Sequence, residues 1–391
     1  MKKLFATAFA FACVSAHAQN ASSADNAALE AKIETVWNDS KASFYSPKSG
    51  LFYTAPIGKI PSPAEMKELK PLKKNGTPNL HGGGSGTEDC SMLGGIILAG
   101  LCDRYEVLKD AETPVRAREL FNGLILNATA HCDAGFVARG VSPDDCRTIY
   151  PGTSRDQYTH FIHGLWKYFR SKMSTPEQRA KISKIFCDIA DKMEREVRPD
   201  IQPEYSFRFY KGMPDDRGVA KMRFTKPHEA ARLAMFYAAA YDVSKKEKYR
   251  KLWRDVLPEA VDGSMRLSDM TEKQLRAWVP AYSVLQMEAS LEVLHEVETD
   301  ARMKEKIARA MDLTAQFVEK SPVFDLSKRS ARDRSEVING QLMAPSYKLS
   351  PAREELLKST VMRIDGARDS GGSYTAMAAY WRARKCGYMS P

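Results

Sequence analysis

The sequence predicts an all-α chain folded as one α/α toroid, a barrel of six or seven helical hairpins. Three observations lead there. Apolar residues recur at helical spacing in about a dozen segments, most joined by short connections. Strand signal is sparse, the clearest case being the alternation Tyr205-Ser206-Phe207-Arg208-Phe209. No 34-residue or similar repeat is present, which disfavours an open helical solenoid. Many antiparallel helix pairs in one domain then point to a closed ring, a step that leans on analogy between folds. In such a ring, loops at one end of the inner helices build a cleft wide enough for a sugar chain.

The chain opens with Lys2 and Lys3, then an apolar run from Leu4 to Val14 too short to span a bilayer. Ala16-His17-Ala18 is a small-x-small cleavage site. Residues 1–18 are therefore expected to be a signal peptide and residues 19–391 the toroid, exported to the periplasm or beyond. A lipoprotein signal at Cys13 is disfavoured, because Ala10 and Phe11 stand where Leu and a small residue are usual. No later apolar run approaches the ~20 residues of a membrane helix, so no membrane attachment is expected after cleavage.

Leu29, Ile33, Val36 and Trp37 mark a first helix over 28–44, followed by a Pro/Gly/Lys loop over 46–86. Thr87 is placed to cap a helix through Met92, Ile96 and Leu101. Thr113 and Pro114 open the next, ending near His131. Further helices are expected over 156–171, 176–195, 227–243, 246–257, 271–297, 302–319, 335–344, 351–363 and 373–384. Within 271–297, Thr271 and Gln274 read as a capping box, and Pro280 should kink the helix.

Six of the seven cysteines follow the signal peptide. Export permits disulfides, and Cys132 with Cys146 brackets a turn-rich segment, making that pair the expected one. Cys90 and Cys102 fall on one helix about 18 Å apart and cannot pair with each other. No Cys/His spacing suggests zinc. The formal charge is +10, or +8 once Lys2 and Lys3 are removed. Export and the absence of a basic run favour an acidic polysaccharide over nucleic acid as the anionic partner. Oligomeric state is not fixed by the sequence.

Three segments carry candidate chemistry. The first is Cys132–Trp166, where Arg139 sits in a turn and Arg155, Asp156, Gln157 and His160 lie at a helix start. The helix has an apolar stripe, Tyr158, Phe161, Ile162, Leu165 and Phe169, and a polar one, Asp156, His160, His163 and Lys167. The polar stripe fits a solvated face, paired interior histidines, or a cleft wall. The second is Lys226-Pro227-His228-Glu229, with His228 in a first helical turn, where the helix dipole favours a neutral imidazole. The following HEAAR lacks the second His of a zinc protease. The third is Arg276–Tyr282, whose ends would meet only if Pro280 bends the helix. The run His81–Gly86 is no phosphate loop, since no GK[ST] follows, and reads as a flexible loop near the cleft.

Together, Arg276–Tyr282, His228 at a helix start, the RDQYTHFIHG segment, the length and the signal peptide make the chain resemble the α/α-toroid polysaccharide lyases, most of all polysaccharide lyase family 38. The resemblance extends over nearly the whole mature chain. It implies β-elimination on uronate polymers such as glucuronan and alginate. It implies Tyr282, His228, Arg276 and Gln157 as catalytic residues, and Arg139, Arg155, His160, Asp156 and Glu229 as substrate-binding ones. The residue types suit that chemistry. Arg276 and Gln157, helped by His160, would neutralise the uronate carboxylate. Tyr282 would move protons if a neighbouring cation lowers its pKa, with His228 sharing the base role. No metal or organic cofactor is required. A glycoside hydrolase on the same fold would use two of Asp89, Asp156 and Glu229. A non-catalytic protein that captures acidic oligosaccharides is the third possibility.

Overall fold

The computed structural model describes residues 26–70, 72–213 and 216–389. The expected signal peptide lies outside them. In chain order the helices are α1 (residues 26–44), α2 (Pro63–Glu68), α3 (Cys90–Leu108), α4 (Glu112–Thr129), α5 (Arg155–Arg170), α6 (Pro176–Glu196) and α7 (Arg232–Ser244). Then follow α8 (Glu247–Met265), α9 (Glu272–Trp278), α10 (Tyr282–Val297), α11 (Ala301–Lys320), α12 (Ala331–Gln341), α13 (Pro351–Arg363) and α14 (Ser370–Lys385).

Leaving aside the short α2 and α9, these helices alternate between two kinds. In α1, α4, α6, α8, α11 and α13, buried residues recur on one face and the rest meet water, the pattern of an outer helix. In α3 every residue from Cys90 to Arg104 is buried, and α5, α7, α10, α12 and α14 are buried almost as fully. A helix buried all round must be covered on all sides by protein. The cover is a ring in the order α3, α5, α7, α10, α12, α14, with α14 packed back on α3. Each outer helix pairs with a ring helix, giving six hairpins among the described residues around one main core, with a small second cluster of Leu51, Tyr53, Cys90 and Val141. No described helix is long and apolar enough to cross a membrane.

Two short hairpins decorate the ring. β1 (Tyr45–Ser46) pairs with β2 (Leu51–Phe52), and β3 (Ser206–Arg208), the expected strand, pairs antiparallel with β4 (Val219–Lys221). A bridge between Gly152 and Tyr210 ties the second hairpin to the segment entering α5.

Prolines mark three of the departures from expectation. The segment 271–297 is two helices, not one kinked helix. Thr271 and Gln274 do form the capping box, but α9 stops at Trp278 because Val279, preceding Pro280, leaves helical geometry at φ −118°, ψ 86°. Similarly, Pro227–Glu229 is a separate 3-10 turn ahead of α7. Conversely, α8 runs on past Pro258 to Met265, because its buried face, Trp253, Leu257, Ala260 and Val261, continues. The Thr87 side chain does not cap α3. Asp89 occupies the N-cap position, makes no cap bond, and turns its carboxylate to other partners. Cys132 and Cys146 are free thiols rather than the expected disulfide, and Cys146 Sγ lies 3.5 Å from the Lys48 carbonyl oxygen.

The ring is tightest at α3. A β-carbon on Gly95 would run into the His160 carbonyl of α5, one on Gly164 would meet the Gly95 backbone, and one on Gly100 would lie 2.8 Å from Ala378 Cα of α14. Backbone cannot retreat as a side-chain tip can. Gly95→Ala should therefore lower unfolding free energy by about 1–3 kcal/mol or more in denaturant melts. Gly58→Ala, where nothing lies within 4 Å, serves as the control. Equal midpoints for the two variants would refute the backbone-contact account.

Candidate functional site

Each helix begins with backbone N–H groups that lack intrahelical partners. The ring places several such beginnings together. The first residues of α5, α7 and α10 line a cleft of 470 Å³, walled also by β4, by Leu80 and His81, and by Trp278 at the end of α9.

Ser154 caps α5 and fixes Arg155 and Asp156 in its first turn. Arg155 reaches across to Glu229 at 2.6 Å and donates to the Lys221 carbonyl. Asp156 accepts from Arg232 Nη1 at 2.7 Å. Arg232 opens α7, is almost wholly buried, and also donates to Gln286 Oε1 on α10. Both cleft carboxylates are thus held by guanidinium groups. Burial pushes the Asp156 carboxyl up, but the charge and hydrogen bond of Arg232, joined by the charge of Arg155, together leave the group below its ordinary value.

His228 sits in the 3-10 turn before α7, buried, with Nδ1 unpartnered and Nε2 3.8 Å from Glu229. Burial first, then the charges of Arg232, Lys226 and Arg155, depress its pKa to about 3. It is neutral at pH 7, as its place at a helix start predicts. Tyr282, the first residue of α10, lines the same cleft and is 36% exposed. Its pKa is raised, by burial first and then by Asp156, with Arg232 only partly opposing. The expectation that a neighbouring cation lowers it fails, because burial and the Asp156 carboxylate outweigh the cation. At neutral pH Tyr282 is a proton donor.

Arg139 completes one wall. It is buried, donates to the Glu88 and Thr153 carbonyls, and lies 3.3 Å from His81 Nδ1. His81 in turn is depressed by burial and then by the Arg139 charge.

The cleft therefore unites Tyr282, His228, Arg139, Arg155, Asp156 and Glu229 of the expected residues, and excludes three. Arg276 is exposed on α9 and 3.5 Å from Glu272, since the break at Pro280 leaves it on the far side. Gln157 is fully buried, accepting from Met92 N and donating to Glu88 O and Asp89, so it ties α5 to α3. His160 lies buried one turn below Asp156 and does not line the cleft. Sequence reading singled out the segments that hold Lys226 and Trp278, and placed the loop of His81 near the cleft, but gave these three residues no role, and it passed over Lys221 and Arg232. Arg232 closes the HEAAR run, four residues after His228, a visible signal. The other four stand on a loop, a strand, a turn and a helix end whose convergence no local pattern announces.

Among the described residues, no group of three or more His, Cys, Asp or Glu is placed to hold a metal ion.

No protein-family model matches the chain, and no curated protein matches it by sequence. Solved structures do. A family 76 glycoside hydrolase (mannosidase) from Bacteroides thetaiotaomicron superposes with a TM-score of 0.52 at 8% identity, over 92% of this chain and 99% of its own. A sugar epimerase from a ruminal bacterium gives 0.47 at 14% identity, over 75% and 87%. A polysaccharide lyase gives 0.44 at 9% identity, over 75% and 90%. The first likeness shows that the fold is the α/α toroid. Identities this low transfer no active site.

The buried histidines set an acid limit on stability. His160 has a folded pKa of about 3 against an ordinary 6.5, with burial the main cause. The unfolded chain binds its proton more readily, so this contribution is intact above pH 6.5 and is lost as pH falls toward 3. At pH 5 the loss should be about 2 kcal/mol. The slope of stability between pH 7 and 5 should be shallower in His160→Gln, as followed by denaturant melts. Parallel slopes would count against the assignment.

Proposed function

We propose that the cleft binds an acidic polysaccharide and cleaves it by β-elimination at a 4-linked uronate. One observation carries the reading: a neutral imidazole and a protonated phenol share a cationic cleft whose own two carboxylates are already taken by arginines. A uronate carboxylate entering there meets Arg139, Arg155, Arg232 and Lys221, together with the starts of three helices. Pairing with them neutralises the carboxylate, without which the carbanion-like transition state is too unstable. His228 then takes the C5 proton, and the bound anion raises its basicity from the depressed resting value. The C5–H electrons form the C4–C5 double bond, the C4–O4 bond breaks, and Tyr282 donates its proton to the leaving oxygen. The products are an unsaturated chain end and a new end on the departing chain. Export through the expected signal peptide would bring the enzyme to such polymers.

Hydrolysis on the same fold is the second reading, and one group favours it. Glu336 is buried beside Arg332, whose Nε lies 3.0 Å away, and burial pushes its carboxyl up to about 7. Arg332 also lies 3.7 Å from Asp89, the hydrolase candidate at the start of α3. A protonated Glu336 paired with Asp89 would supply the two carboxyl groups that hydrolysis needs.

Incubation with glucuronan, alginates, pectate and hyaluronan separates these. Elimination gives new ultraviolet absorbance from the conjugated double bond, and hydrolysis gives reducing ends without it. Binding with neither signal marks a capture protein. Tyr282→Phe and His228→Gln should each reduce turnover about 10²–10⁴-fold with unchanged melting curves. In the hydrolase case Glu336→Gln abolishes activity while Tyr282→Phe stays active, which would sink the elimination scheme.

The charge reading gives a separate test. Affinity for the polymer should fall steeply between 0.05 and 1 M salt, where screening shortens to about 3 Å. Salt-independent affinity would indicate a neutral glycan.

A further inference from the structure

Trp278 is 44% exposed, yet it lines the same cleft as Tyr282 and His228. An indole left half in water is unusual for so large an apolar surface, and this one is held rigidly. Helix α9 is fixed at its start by the Thr271–Gln274 capping box, and Leu275 and Val279 anchor it in the core. Pro280 ends it, so Trp278 projects at the rim as a preset surface. Beside it, Lys226 Nζ lies 5.4 Å from the ring centroid and has no carboxylate partner among the described residues. The aromatic face and the free cation form a composite surface: flat and apolar for the C–H face of a pyranose, positive for a substituent on it.

The geometry points to Trp278 as a stacking platform for a sugar ring next to the reacting one, with Lys226 pairing the carboxylate of that ring. This rests on the reading of the cleft as an acidic-glycan site and deepens it, by giving the site a second subsite and so a preference for chains. The long stem of Lys226 lets its ammonium leave the indole face to the sugar and turn to the carboxylate. Arg276, on the same helix, points elsewhere and takes no part.

Binding is measured directly, by calorimetry or affinity electrophoresis, in a Tyr282→Phe background so that the polymer is not consumed. The panel is glucuronan, alginate and neutral α-mannan. Trp278→Ala should weaken uronate-polymer binding at least about tenfold, with Trp278→Phe restoring most of it. Lys226→Met should weaken binding of acidic chains and reduce its salt dependence. In otherwise unaltered protein, Trp278→Ala should raise KM on polymer and leave kcat nearly unchanged. If Trp278→Ala binds the polymer as tightly as its parent, the platform is overturned. If the parent binds only α-mannan and Trp278→Ala loses it, the platform stands and the uronate reading falls. If the parent binds nothing on the panel, both fall.

Discussion

The close approach of α3 and α5 through Gly95 and Gly164 is the contact on which the rest of the structure depends. With any side chain at those positions the two helices would separate, and the ring could not close at its present radius. The same helix meets α14 through Gly100 and Ala378. Closure at α3 brings Asp89 beside Gln157, setting the starts of α3 and α5 at one level. From there the ring carries the starts of α7, α10 and α12 to the same end, and the cleft exists because they arrive together.

Closure also creates a lumen, which must take whatever polar groups the inner helices direct into it. At the far end charges meet charges. Asp103 is 2.6 Å from Lys167 and 2.9 Å from Arg382, and Glu292 is 2.6 Å from His163. The cleft end is different. There Arg232 Nε, His228 Nδ1 and Gln286 Nε2 are buried without a partner. Burying such groups unpaired costs free energy. The far end therefore acts as a brace, and the cleft end keeps hydrogen-bonding capacity in reserve.

The guanidinium groups set the character of the cleft. Arg155 and Arg232 hold Glu229 and Asp156, and burial, reinforced by the same positive field, keeps His228 neutral. Asp156 and burial together keep Tyr282 protonated. In the proposed elimination Tyr282 is therefore the acid and His228 the base. The field that engages the carboxylates is also what supports the proposed anion site.

Helical periodicity and capping residues in the sequence determined most of the helices themselves, because those signals act within a few residues. The capping boxes at Thr175 and Thr271, the exact span Pro351–Arg363 and the strand at 206–208 are local in this sense. The polar stripe Asp156, His160, His163 and Lys167 was also visible, but not what it faced. The tertiary structure decided that it faces the lumen, paired with Arg232, Glu292 and Asp103. It likewise decided that Arg276 lies outside and Trp278 inside. Those outcomes depend on how far Pro280 turns the chain and on partners tens to hundreds of residues away. Periodicity records which residues share a face, whereas only packing settles what that face meets.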